Sequence, residues 1–341
     1  MQTSYLDFFK RTLIVVAVVG TPFLIWYLFG VVLMALGAII LAMLVRLGAQ
    51  PFMRWLKAPE PLALAISGVL IVVVLGGAVY LFGSPIAREL QDVARRVADA
   101  SGTLETDLQN SQYGKFLLSQ VGGLAGSLTG ILSGVLKVSS TFLQAVIIML
   151  ICGIYLAVQP RVYRDGLIWL FPPKSHERVA EIIDGIGEAL RLWLLGQLME
   201  MALIGILTAF AVWLIGVPSS LALGLIAGIG EFIPYVGPLL AAIPGILVAL
   251  TKSPEATLWT VAAYLIIHQI EGNLVAPLVQ RRMVLIPPAV MLLGIVSITY
   301  LFGVAAIFLA APIVVVIFAA VSLIYVRDTL GEKNALIRKL R

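Results

Sequence analysis

The stretch from Gly228 to Leu250, GIGEFIPYVGPLLAAIPGILVAL, constrains this chain more than any other. It is apolar enough to lie in a membrane, yet it cannot form one straight helix. Pro234, Pro238 and Pro244 each remove a backbone donor, and their rings clash with the preceding turn. Gly228, Gly230 and Gly237 sit among them, and Glu231 carries a carboxylate into the apolar setting. Broken backbone survives at membrane depth only where protein buries it or a watery cavity hydrates it. Two short helical arms meeting at 233–238 are therefore expected. They are either a Pro-kinked structural hairpin or a transport site of the kind built where helices break.

The remainder of the chain belongs in the same setting. Of 341 residues, 61% are hydrophobic and 12% charged, whereas soluble domains carry about 25% charged residues. The net charge is +5, and in a membrane protein the placement of Lys and Arg matters more than their total, because they stay on the cytoplasmic side. The single cysteine, Cys152, lies in an apolar run and allows no intrachain disulfide. Lys10 and Arg11 precede an apolar run longer than a signal-peptide core, with no small-residue cleavage pattern after it. It reads as the first span of a bacterial inner-membrane protein.

Apolar length and basic residues then divide the chain. Residues 1–83 hold transmembrane helices 1–3, with a turn at Gly30 and a cytoplasmic connection marked by Arg46, Arg54 and Lys57. Residues 84–137 form extracytoplasmic amphipathic helices, and 138–159 form a fourth span returning inward. In 160–192, Arg161, Arg164, Lys174 and Arg178 mark a second cytoplasmic segment. It is irregular as far as Pro172-Pro173. A helix capped at Ser175 follows, with Val179, Ile182, Ile183, Ile186 and Leu190 on one face and Glu177, Glu181, Asp184, Glu188 and Arg191 on the other. That helix lies on the inner membrane surface or against a neighbour. Residues 193–326 hold the fifth span, the broken hairpin 218–251 and the later spans. Residues 327–341 are a basic cytoplasmic tail, which puts both termini inside.

The side assignments constrain one another. Arg191 inside puts Val217 outside, and Arg281-Arg282 inside puts Ala256 outside. The hairpin therefore begins and ends outside, as a re-entrant pair or an even number of crossings. The expected fold is an all-α, polytopic helical membrane protein of about eight transmembrane helices with a Pro/Gly-broken re-entrant hairpin.

Within 84–137, Ile86, Leu90, Val93, Val97, Leu104 and Leu108 recur at nearly heptad spacing. Further on, Gly122, Gly126, Gly130 and Gly134 form an every-fourth-residue ladder. Four glycines weaken a helix, and close approach of another helix is the usual compensation. The other reading is a loosely ordered interfacial helix.

Enzyme chemistry has little to work with. The chain has two histidines and one cysteine, and lacks a His-Glu-x-x-His motif, a Gly-x-Ser-x-Gly elbow and a Walker loop. His268 and Glu271 lie one turn apart, but two ligands do not make a zinc site. No enzyme activity, metal, cofactor or nucleic-acid partner is expected; the lipid bilayer and a small-molecule or ion substrate are. What remains is polar residues in spans: Gln197 and Glu200 in the fifth, and His268, Gln269, Glu271 and Asn273 after the hairpin. Intramembrane acids are costly and mark ion or substrate pathways. Glu271 can also be an interfacial cap, His268 a satisfied buried histidine, and Glu200 or Glu231 a protonated acid between helices.

At this point a resemblance becomes specific. Phe232-Ile233-Pro234-Tyr235-Val236-Gly237-Pro238 with Ile243-Pro244 resembles the Ile-Pro-Tyr-Ile-Gly-Pro signature of the autoinducer-2 exporter family. Gln269-Ile270-Glu271-Gly272-Asn273-Leu274-Val275-Ala276-Pro277 resembles its Gln-x-x-Glu-x-Asn-x-x-x-Pro segment. Leu301-Phe302-Gly303 to Pro312 resembles its Phe-Gly-x-x-Gly…Pro pattern, although Val304, Ala305 and Ala306 replace the second glycine. The likeness covers nearly the whole chain. It implies an exporter or permease for a small polar metabolite or signal, autoinducer-2-like and ion-coupled because no ATP-binding loop is present. Cation–proton antiport is the alternative, and a structural envelope protein a further one. It also implies a homo-oligomer of five subunits. The pathway residues expected are Gln197, Glu200, Glu231, Pro234, Tyr235, Gly237, Pro238, His268, Gln269, Glu271, Asn273 and Pro277.

Overall fold

The computed structural model describes residues 9, 12, 20, 26–74, 76–77, 80, 140–275 and 286–330. The first span, the helices expected in 84–137 with Gly122, Gly126, Gly130 and Gly134, and Pro277, Arg281, Arg282 and the tail beyond 330 fall wholly or mostly outside them. The described residues hold no strand. Their helices are α1 (Phe29–Trp55), α2 (Glu60–Val74), α3 (Ser140–Val158), α4 (Pro160–Trp169), α5 (His176–Ile215), α6 (Ser220–Gly230), α7 (Val236–Lys252), α8 (Pro254–Ile270), α9 (Pro288–Phe302) and α10 (Ile307–Val321). Short π-helical turns continue α8 over Glu271–Val275 and α10 over Ser322–Thr329.

Among the described residues three helices are individually long and apolar enough to cross a membrane, or four if α3 and α4 are counted as one bent span. Large apolar side chains face outward along them, including Ile147, Ile151 and Ile154 of α3 and Ile206, Phe210 and Trp213 of α5. Such surfaces suit lipid. The protein is an all-α polytopic membrane protein.

The elements start and stop where the sequence dictates. The turn expected at Gly30 lies at Leu28, and α1 continues to Trp55, with Pro51 inside it. Ser253 caps α8, its side chain accepting from the Ala256 N–H at 3.1 Å with Pro254 at the first helical position. Gly216 ends α5 in the left-handed region at φ 73°. Gly303, at φ 86°, turns α9 into α10. One segment differs from expectation. Residues 160–169 are a helix, started by Pro160 and bent 90° from α3. Irregular backbone is expected there as far as Pro172-Pro173, and the chain instead forms this helix. Ser175 does sit at the N-cap of α5, but its side chain makes no capping bond.

Two packing layers position the site. One joins Ala189, Leu190, Trp193 and Leu194 of α5 to Ile295 and Ile298 of α9, Ala310, Ala311, Val314 and Val315 of α10, and Ile40 of α1. The other joins α5 to α6, α7 and α8 through Ile204, Ala227, Ala241 and Ile267, and through Val212, Leu223, Val248 and Tyr264. Register follows from the glycines. A Cβ on Gly37 would meet Met149, and one on Gly153 would meet Ala38 and Leu41, so α1 and α3 run parallel. Gly185 lies against Leu323, and Arg327 pairs with Glu181, so α10 runs antiparallel to α5.

Candidate site at the broken hairpin

The hairpin breaks at 231–235, two residues earlier than expected, and Gly237 and Pro238 fall in the first turn of α7. Proline is tolerated there because first-turn N–H groups have no helical partner. Within the break, Phe232 N–H donates to Ile229 O and Ile233 N–H to Gly230 O. Val236 N–H then donates to Pro234 O at 2.8 Å, closing a three-residue turn around Tyr235, whose φ is 67° and ψ −40°. This is a γ-turn with positive φ, a rare and strained conformation for a residue with a side chain.

Glycines let the backbones meet. A Cβ on Gly237 would collide with the carbonyl oxygen of Gly230. On the other side of α6, a Cβ on Gly224 would lie 2.5 Å from both Ala209 Cβ and Gly205 O, and one on Gly228 would lie 2.7 Å from Met201 O. The pairs Gly224/Gly228 and Gly205/Ala209 are thus small residues four apart on facing antiparallel helices, which lets α6 lie directly on α5. This shorter set, whose signal is the same four-residue spacing as the 122–134 ladder, is not among the expected packing residues.

The hairpin returns to the end it left. Lys252 Nζ, at the end of α7, donates to Ile215 O at 2.7 Å. With 11 residues, α6 is about 16 Å long, half the hydrocarbon thickness. The break therefore hangs inside the bundle, level with the Gln197–Glu200 turn of α5. Gln197 is buried and donates its Nε2 to Glu231 O at 2.7 Å. Phe232 meets the ring of Trp193 edge-on at 6.0 Å. Glu200 lies about 22 Å along α5 from Ile215.

Several groups converge there. Glu231 is 2% exposed, and its Oε2 has no hydrogen-bond partner among the described residues. Glu271 and Glu200 are both close enough to Glu231 to interact with it electrostatically. Tyr235, at the strained turn, is 44% exposed at the edge of this group. His268 Nδ1 lies 2.9 Å from Glu271 Oε2, while its Nε2 is buried and unpartnered among the described residues. Three carboxyls and an imidazole from α5, the break and the end of α8 thus meet in a largely apolar surrounding.

Of the expected pathway residues, the structure brings Gln197, Glu200, Glu231, Tyr235, His268 and Glu271 together, with Pro234, Gly237 and Pro238 forming the break. It does not bring in Gln269 and Asn273. They are exposed, and bond to each other at 3.4 Å beside a shallow groove of about 360 Å³ lined by Leu265, Ile266 and Ile270. Helical geometry separates them: 268 and 271 share one face of α8 and 269 and 273 another.

The family model for the AI-2E family transporter matches residues 13–325. The chain is 26% identical over 279 residues to "Putative transport protein YrrI" of Bacillus subtilis, covering 77% of this chain and 78% of the relative. It is 23% identical over 290 residues to "Putative transport protein YueF" of the same organism, with 79% of each covered. A "Putative transport protein" of Thermotoga maritima is 24% identical over 270 residues, covering 76% of this chain and 81% of the relative. With the whole transmembrane body inside the match, this chain belongs to the AI-2E family of membrane transporters.

Proposed function

We propose that the protein is a secondary transporter that exports a small polar metabolite or signal of the autoinducer-2 type, driven by a cation gradient, and that the broken hairpin is its coupling site. The observation that carries this reading is the convergence of Glu231, Glu200 and Glu271 on the break. Three carboxyls this close in an apolar surrounding repel one another as anions, so a cation among them stabilises the arrangement. A proton on one of them relieves the same repulsion. His268 offers a second station, with one ring nitrogen on Glu271 and the other without a partner among the described residues. The strained Tyr235 turn supports a segment that changes shape during transport.

Cation–proton antiport is the second reading, favoured by the same donor set, which is rich in carboxylate oxygens. The two separate in proteoliposomes carrying a lumenal pH dye. A metabolite exporter moves protons when metabolite is added, and an antiporter moves them on addition of sodium alone. Absence of proton movement under both conditions would remove the cluster from coupling. The bacterial inner membrane, cytoplasmic termini and a homo-oligomer, a pentamer by resemblance, complete the proposal.

A further inference from the structure

The face of α4 remains outside this reading. This helix leaves the apolar α3 at 90°, so it runs across the end of the bundle. Its inner side is tied down: Ile168 is buried, and Arg164 donates two bonds of 2.6 Å to Asp184 of α5. Its outer side is apolar and exposed. Tyr163, Leu167, Trp169 and Leu170 are 42%, 51%, 76% and 79% exposed, and Phe171 follows at 48%. Exposed cations flank the strip at Arg161 and Lys174. Among the described side chains, the nearby acid outside the ion pairs is Glu177, on the exposed side of α5.

Depth fixes what this strip meets. From Asp184 to Ile215, α5 rises about 47 Å, close to the roughly 40–45 Å of a whole bilayer with its headgroups. With Ile215 at one surface, Asp184 and the α4 it holds lie at the headgroup level of the other. Aromatic side chains and basic residues around an apolar stripe are what an interfacial helix requires.

We propose that α4 and the following turn form a docking surface for anionic phospholipid, with Leu167, Trp169 and Leu170 in the acyl boundary and Arg161 and Lys174 on the headgroups. The occupant is the leaflet itself rather than another chain. Continuity supports this, since α3 delivers α4 directly from the hydrocarbon region to that surface. So does charge, since the flanking cations are exposed and the acids on the packed side are occupied.

The test uses full-length protein in nanodiscs of phosphatidylcholine with or without phosphatidylglycerol. A fluorophore is placed at position 169 by Trp169→Cys in a Cys152→Ser background. Brominated phospholipid should quench it and aqueous iodide should not. In native mass spectrometry the wild-type protein should retain phosphatidylglycerol over phosphatidylcholine, and Arg161→Gln with Lys174→Gln should lower that preference at least fivefold. Quenching by iodide, or by neither agent as a covering protein chain would produce, overturns the proposal. So does an equal lipid preference in the double variant. These readouts do not depend on transport, so the coupling site can fail its own test while this surface stands.

Discussion

Gly237 lies against the carbonyl oxygen of Gly230, with no room between them for a methyl group. The two arms of the hairpin therefore touch backbone to backbone at the point where the helix is broken. Gly237→Ala should force the arms apart, at about 1–3 kcal/mol for an overpacked contact, and Gly237→Val by more. Both variants should insert in the membrane and lose transport at every pH. Flux near wild type in Gly237→Val would show that the contact is dispensable.

Gln197 and Glu231 are joined through a side-chain donor and a main-chain acceptor. Gln197→Leu keeps the volume but leaves that buried carbonyl unpaired, at about 1–3 kcal/mol. Turnover should fall tenfold or more with a modest loss of thermal stability. Unchanged turnover in reconstituted vesicles would show that this bond is dispensable.

Glu231→Gln cannot titrate. If its carboxyl exchanges a proton during transport, the variant should lose pH dependence of flux before it loses binding. Glu271→Gln should mimic it, since it removes the same pair. Flux that keeps its normal pH profile in Glu231→Gln would leave that residue structural and move the coupling role to Glu200 and Glu271.

Gly224 bears on α5 rather than on the other arm. Gly224→Leu should separate α6 from α5 and lower the midpoint of thermal unfolding by several degrees, given about 1–3 kcal/mol for overpacking. A midpoint equal to wild type would mean that the hairpin is held from α7 and α8 alone.

The ion pairs at the far end of α5, outside the apolar stretch, set an acid limit. Hydrogen bonding from Arg164 holds the Asp184 carboxyl below the usual carboxylate range, and Arg327 and then Arg178 do the same for Glu181. A carboxylate depressed in the folded state stabilises it above its unfolded pKa, near about 4. That stability is lost as pH falls through the folded value. Thermal stability should therefore drop on acidification below roughly pH 4, and Arg164→Gln should make the drop shallower. Both side chains are largely exposed, so the effect is small. An identical acid limb in the variant would exclude the Arg164–Asp184 pair as a cause.

The sequence by itself determined the class and the location of the break. Apolar length and scarce charge required helices in a membrane, because a spanning backbone must satisfy its own hydrogen bonds. Prolines among glycines required a broken hairpin because proline removes donors, although Pro244 is carried inside α7 and the break lies at 231–235. That the hairpin begins and ends at one end of the bundle was also expected from basic residues, and the Lys252–Ile215 bond joins those two ends. Tertiary structure decided which polar residues meet. Gln269 and Glu271 are two residues apart in the chain, yet the first faces outward and the second inward, toward Glu231. That choice depends on how α8 is rotated against α7, and Tyr264 packed on Gly245 sets the rotation. Gln197 could be recognised as a buried polar residue, but its bond to Glu231 O could not. That bond spans 34 residues and exists only because glycines at 205, 224 and 228 let α6 settle on α5. The orientation of α4 was hidden for a related reason. Its bend is fixed by Pro160 and by the Arg164–Asp184 ion pair, whose partners lie 20 residues apart in the chain.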